Sequence, residues 1–218
     1  MRSYWLVCAA AVLALGLAGA VFADDFSPAP WRGQALTVAA EWEFVNSNLT
    51  DLPPDYINTV GDGIHPYNTN CYVHTHPQMV YWEPDPTDPN DGRAFTQGVP
   101  GQLLFFLCNF IDDYQHKYIW VQLTYGGQGV PYVYQVLAPN PGTNEWTYPM
   151  PGTLVERNVQ AGHATEMWEL GYNPDREYVN VELPPFTWLD QIWIETISTD
   201  IPVGIAPSTW GQVKILFR

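Results

Sequence analysis

Four groups of residues in the chain have side chains suited to chemistry. His74 and His76 lie two apart. On a strand that spacing puts both imidazoles on one face, as a transition-metal chelate requires, and His65 lies close enough in sequence to join them. A metal site needs three or four ligands, and no third one has diagnostic spacing, so a solvent-facing pair is the plainer reading. His116 and His163 have no evident partner in the sequence. Asp85, Asp88, Asn90 and Asp91, just before Gly92, supply hard oxygens of the kind calcium takes. The glycine comes one residue too early for an EF-hand loop, and Asn-Asp-Gly suits a tight turn with glycine at positive φ. Tyr81, Trp82 and Trp146, beside acidic loops, are candidate flat faces for stacking sugar rings, weighed against the usual place of Trp in a core. Glu41 and Glu43 share a strand face and can approach the roughly 5 Å carboxyl separation of a retaining glycosidase. Glu166/Glu169 and Asp190/Glu195 are further carboxylate pairs. No Gly-x-Ser-x-Gly elbow, His-Glu-x-x-His helix or Walker loop occurs, nor the Glu-x-Asp-x-x-Glu strand pattern of one jelly-roll glycosidase class.

These groups must be positioned by short extended segments. Twenty prolines and seventeen glycines are scattered among runs rich in Val, Ile, Tyr, Trp and Thr, the pattern of many strands separated by turns. Alternation places Leu36, Val38, Ala40, Trp42 and Phe44 on one face, and Ile119, Val121, Leu123 and Tyr125 on another. The same reading pairs Val179 with Val181 and Leu183, and Trp188 with Ile192 and Ile194. Further strands are expected at 71–76, 78–82, 103–110, 130–137, 153–159 and 212–217, while 163–170 equally fits a helical turn. About ten strands at this spacing predict an all-β fold, a β-sandwich or jelly roll of galactose-binding-like or lectin-like kind. Three stretches, 46–70, 83–102 and 138–152, read as long loops, the usual walls of a binding site.

Composition sets the compartment and the classes of partner. Arg2, the apolar run Leu6 to Leu17 and the small-x-small pattern Val21-Phe22-Ala23 read as a secretory signal peptide cleaved after Ala23. Residues 1–23 are then the leader and 24–218 a single domain. No later stretch approaches the roughly 20 apolar residues of a spanning helix. Cleavage removes Arg2 and Cys8, leaving a net charge of −16 and two cysteines, Cys71 and Cys108. In an oxidising compartment these two are expected to pair. So acidic a chain cannot assemble the Lys/Arg patch that nucleic acid needs, and an aromatic content of 15% argues against disorder. Divalent cations bridging the acidic loops would allow self-assembly.

Pro30-Trp31-Arg32-Gly33, Glu41-Trp42-Glu43-Phe44, Ile119-Trp120-Val121-Gln122-Leu123-Thr124 and the run Trp188 to Ile197 together resemble the secreted β-sandwich ectodomains of bacterial exosortase-sorted (PEP-CTERM type) surface proteins. The resemblance spans most of the mature chain and implies a surface or matrix role without a defined catalytic activity. Such proteins end in a Pro-Glu-Pro motif, a membrane helix and a basic tail, whereas this chain stops at Leu216-Phe217-Arg218, so release is expected in place of membrane sorting. The expectation is therefore a secreted or cell-surface β-sandwich module that binds glycan or an extracellular matrix polymer, with calcium the one cofactor the residues suggest. The alternative is a secreted jelly-roll hydrolase acting on glycan.

Overall fold

Alternation is realised where the sequence is most regular. In β1 (Thr37–Trp42), Val38, Ala40 and Trp42 are fully buried, and in β8 (His116–Gly127) the same holds for Ile119, Val121 and Leu123. The computed structural model describes residues 28–61, 70–75, 79–86, 91–110, 112–139, 149–174 and 176–200. The remaining strands are β2 (Thr50–Leu52), β3 (Tyr56–Val60), β4 (Tyr72–Thr75), β5 (Tyr81–Pro84), β6 (Gly92–Phe95), β7 (Gly101–Leu107), β9 (Tyr132–Ala138), β10 (Met150–Pro151), β11 (Thr153–Gln160), β12 (His163–Leu170), β13 (Glu177–Leu183) and β14 (Thr187–Thr199). All are antiparallel to their neighbours. They form an eight-stranded sheet with the path β11-β12-β8-β14-β1-β3, to which the β5–β6 hairpin adds alongside β14, and a six-stranded sheet ordered β10-β9-β13-β7-β4-β2.

The inner faces of the two sheets meet in one apolar core. Val38, Trp42, Val121, Leu123, Ile192 and Ile194 come from the larger sheet, and Val73, Leu103, Phe105, Val136, Val179 and Val181 from the smaller one. The fold is the all-β sandwich that the alternation predicts. It has fourteen strands among the described residues, where about ten are expected from sequence. β2 and β3 lie in the stretch 46–70, β6 in 83–102 and β10 in 138–152, all three read as loops, because strands this short carry too little alternation to register. Residues 163–170 are strand β12 and not a helical turn. The segment 212–217, the leader, and residues His65, His76, Asp88, Asn90 and Trp146 lie outside the described residues.

One face assignment changes sign. The register of β14 against β8 slips between Leu189 and Gln191, so a single extra residue, Asp190, flips the alternation. Leu189, Ile192 and Ile194 are fully buried, whereas Trp188 points out, over Gly126 and under the guanidinium of Arg93 at 4.8 Å. A Cβ on Gly126 would lie 2.1 Å from that indole.

The outer faces of the two sheets differ. On the larger sheet, residues 28–36 run across Tyr118, Trp120, Met167 and Ile197 as a strap. Two turns fold it, Arg32 N–H donating to the Ala29 carbonyl at 3.1 Å and Gln34 N–H to Trp31 at 3.0 Å. Trp31 is fully buried, its ring centroid 6.2 Å from Trp120 and 6.3 Å from Tyr118. Arg32 forks onto the buried Glu195 carboxylate, which also accepts from Ala29 N–H at 3.1 Å, and its guanidinium lies 4.6 Å from the Trp193 ring centre. The smaller sheet has no such strap among the described residues.

Candidate functional site on the open face of the six-stranded sheet

Period-two alternation in β4, β7, β13 and β9 turns half of each strand inward and leaves the other half on the open face. Cross-strand register then sets these outward residues in rows. One row is Tyr72, Phe106, Tyr178 and Leu137, one residue from each strand. The ring of Tyr72 stacks on Phe106 at 4.2 Å between centroids, and Tyr178 meets Phe106 edge-on at 3.9 Å. All three rings are half-buried, so each keeps part of its surface toward solvent.

The neighbouring rows are polar. His74, Leu104, Asn180 and Gln135 lie beside the aromatic row, and Gln102, Glu182 and Tyr132 beyond them. Tyr132 donates to Glu182 at 2.7 Å, Gln102 to the same carboxylate at 3.4 Å, and Asn180 to Gln102 at 3.4 Å. The carbonyl oxygen of the Asn180 side chain is buried without a hydrogen-bond partner among the described residues. An unsatisfied buried acceptor costs on the order of 1–3 kcal/mol. Burial pushes the Tyr178 phenol up to about 12, and the bond to Glu182, followed by burial, does the same for Tyr132. Burial and then the charge of Asp51 raise Tyr72. The three phenols therefore stay protonated at neutral pH, able to donate and accept.

At the β4 end the row runs into an open pocket of about 440 Å³ lined by Asp51, Pro53, Asn70, Cys71 and Tyr72. Asp51 sits there at φ 55°, a conformation an acidic side chain tolerates better than a branched one, and its Oδ1 lies 3.2 Å from His74 Nδ1. Aromatic rings, amide and carboxylate groups and a flanking pocket thus lie together on this face.

Apart from His74 and Cys71, the described residues singled out from sequence are placed elsewhere. Tyr81 and Trp82 are neighbours on β5 and face opposite ways: Tyr81 is exposed beside Phe95, whereas Trp82 packs against the core and donates to the Phe44 carbonyl at 2.7 Å. Glu41 and Glu43 lie on and just after β1, at the outer face of the larger sheet. Glu41 accepts from the Gln191 side chain, and the backbone N–H of Glu43 donates to Asp55 at 2.8 Å. Asp85 and Asp91 close the β5–β6 hairpin, Asp85 N–H donating to the Asp91 carbonyl at 3.0 Å and Gly92 N–H to the Asp91 carboxylate at 2.7 Å. His74 is on the open face; His116 bonds Glu169 at 2.9 Å, and His163 lies 3.4 Å from Thr124. Among the described residues no three His, Cys, Asp or Glu side chains are grouped to hold a metal ion.

Cys71 and Cys108 are both buried, their sulfurs 2.6 Å apart, and Cys108 N–H donates to Cys71 at 3.1 Å. The contact with Cys108 and burial push the Cys71 thiol up, while the bond from Cys71 holds Cys108 down. Alternation in the sequence marks most plainly the inward set of these strands, Val179, Val181 and Leu183, and the aromatic row lies on the other face. Its signal was the complementary set on the same strands, Tyr178 with Asn180 and Glu182, and Gln102 with Leu104 and Phe106. No protein-family model matches the chain, and no curated protein matches it.

Proposed function

We infer that the protein is an exported β-sandwich module that binds glycan, or a glycan-bearing polymer of the cell envelope, on the open face of its six-stranded sheet. The observation that carries this reading is the half-buried row Tyr72–Phe106–Tyr178 flanked by the polar side chains of Gln102, Glu182 and Tyr132. A sugar ring would stack on the face of Tyr72 turned away from Phe106, beside the pocket at Asp51, and its hydroxyls would pair with the flanking Gln and Glu groups. The leader at residues 1–23 directs export, and oxidation there joins Cys71 to Cys108. The acidic segment between Asp85 and Asp91 serves as a turn, its ends held by Asp85 N–H on the Asp91 carbonyl and Gly92 N–H on the Asp91 carboxylate.

Binding of the exported protein to a polysaccharide panel, followed by titration calorimetry, tests the reading. Phe106→Ala and Tyr178→Ala should each weaken binding about tenfold, roughly 1.4 kcal/mol of lost stacking. Unchanged binding in both variants refutes the placement of the site. Release of reducing sugar from any member of the panel, abolished by Glu41→Gln or Glu43→Gln, would replace this reading with a secreted jelly-roll hydrolase.

A further inference from the structure

The chain has two lysines, Lys117 and Lys214, and the first of them is entirely buried. Lys117 opens the inward part of β8, and its ammonium nitrogen donates to the side-chain oxygen of Asn109, in the segment just after β7. Glu177, at the start of β13, completes the group. The side chains of Lys117 and Glu177 have no exposed surface, and Asn109 is equally buried. A lysine is rarely placed in such a setting, where keeping its charge costs several kcal/mol even with a partner.

The order of atoms is that of an amide exchange. Glu177 Oε1 lies 3.6 Å from Lys117 Nζ and has no hydrogen-bond partner among the described residues, while Oε2 accepts from Asn109 Nδ2 at 3.2 Å. One carboxyl thus touches both nitrogens between which a proton must move. Asn109 Nδ2 carries two hydrogens but faces three acceptors: Glu177, the Asn173 side-chain oxygen at 3.1 Å and the Pro174 carbonyl. Ammonia, with three hydrogens, would satisfy all of them. Asn109 is held for attack by its Oδ1, which also accepts from Phe110 N–H at 2.9 Å and so meets two donors that polarise the carbonyl.

We propose that Lys117 and Asn109 join spontaneously in an intramolecular isopeptide bond, with Glu177 as the proton-transferring catalyst. Glu177 takes a proton from the ammonium, and the neutral amine attacks Asn109 Cγ. The carboxyl returns its proton to Nδ2 while accepting one from Nζ. The Cγ–Nδ2 bond breaks as the Nζ–Cγ bond forms, ammonia leaves, and Glu177 ends protonated. No oxidant or cofactor is consumed. Burial lifts the Glu177 carboxyl to about 7, against the pull of Lys117, so its neutral form is accessible near neutral pH. The product replaces a buried charge by a neutral amide, which removes the desolvation cost and drives the step.

Intact mass of the denatured wild-type protein tests this without any variant. The expected mass is about 17 Da below the sequence value, the weight of one ammonia, besides any loss from a disulfide. Trypsin should fail to cut after Lys117, which separates the cross-link from a succinimide at Asn109 of equal mass. Glu177→Gln and Asn109→Ala should each restore the full mass and the cleavage. Full wild-type mass with normal cleavage at Lys117 overturns the proposal and leaves a buried ion pair. The 17 Da loss persisting in Glu177→Gln overturns the role of Glu177.

Discussion

Trp31→Ala is the sharpest probe of how the larger sheet is finished. The indole is fully buried against Tyr118, Trp120, Met167 and Ile197, on a strap that lies outside the sandwich core. Burying a Trp removes about 200 Å² from water, worth about 5 kcal/mol at 25 cal/mol per Å². Mutational costs of deleting large aromatics run at about 3–5 kcal/mol, so the two routes agree. The Trp31 Nε1–H has no hydrogen-bond partner among the described residues, which trims the gain by about 1 kcal/mol and favours the lower end of that range. For a chain of this size each kcal/mol moves the midpoint by about 2–4 °C, so a drop of about 10 °C is expected in thermal melts followed by near-ultraviolet circular dichroism. Because the strap can detach by itself, limited proteolysis should also trim the variant up to about residue 36 while the sandwich resists. A shift below about 2 °C with an intact N-terminal segment would refute the reasoning, since it would mean that Trp31 does not bury this face in solution.

Arg32→Ala should cost more than a surface ion pair does, about 3 kcal/mol, because it leaves Glu195 buried with only the Ala29 N–H; chemical denaturation measures it. Gly92→Ala places a Cβ 2.2 Å from Trp82 Nε1 and 2.6 Å from the Phe44 carbonyl, breaking the bond between them, and should lower stability by about 1–3 kcal/mol in the same assay. Burial raises Glu166 and lifts Glu177 to about 7, so both carboxyls hold a proton more tightly folded than unfolded. The Glu177 contribution is fully present below about pH 4.5 and is lost as pH rises through about 7, at no more than about 1.4 kcal/mol per unit, and that of Glu166 falls in the same direction; melts at pH 5 and 8 should show the decline, and Glu177→Gln should flatten it. If Cys71 and Cys108 are bridged, the native exported protein should give no titratable thiol, and reduction should cost about 4 kcal/mol for a 37-residue span. Calcium and magnesium at matched ionic strength should leave the melting curve where sodium leaves it, because Asn-Asp-Gly favours a tight turn and Asp91 Oδ1 already accepts from Gly92 N–H.

The sandwich was legible wherever a strand is long and one-sided. Val38, Ala40 and Trp42 in β1 and the odd positions of β8 alternate for several pairs, and period two survives every local accident there. It failed at Asp190, because a bulge is one residue of arithmetic with no side-chain signature, and all outward assignments upstream of it invert. It failed again at β2, β6 and β10, whose pairing comes from neighbouring strands and not from their own two to four residues. The candidate site was less legible than the core. Row membership depends on which residue of β7 faces which residue of β13 and β4, a register fixed by turns and inner-face packing far away in sequence. The Lys117–Glu177–Asn109 group is invisible for the same reason: nothing in the spacing of the three announces that they meet, although a near absence of lysine was on view.

The thirteen residues of β14 pair with β1, with β8 and with β6, so the middle of the larger sheet is assembled around a strand drawn from the last part of the described chain. Thr37 must find Ile197 across 160 positions. Contacts of such range form slowly, since the loop must close before any pairing compensates its entropy. An emerging chain therefore has no way to complete this sheet until residues 187–199 are free, and β1 and β8 must wait as unpaired edges. Timing follows from topology: the smaller sheet can pair before Thr187 emerges, whereas the larger one stays open between β1 and β8 until β14 arrives. A chain truncated before Thr187 should leave β1 and β8 protease-sensitive.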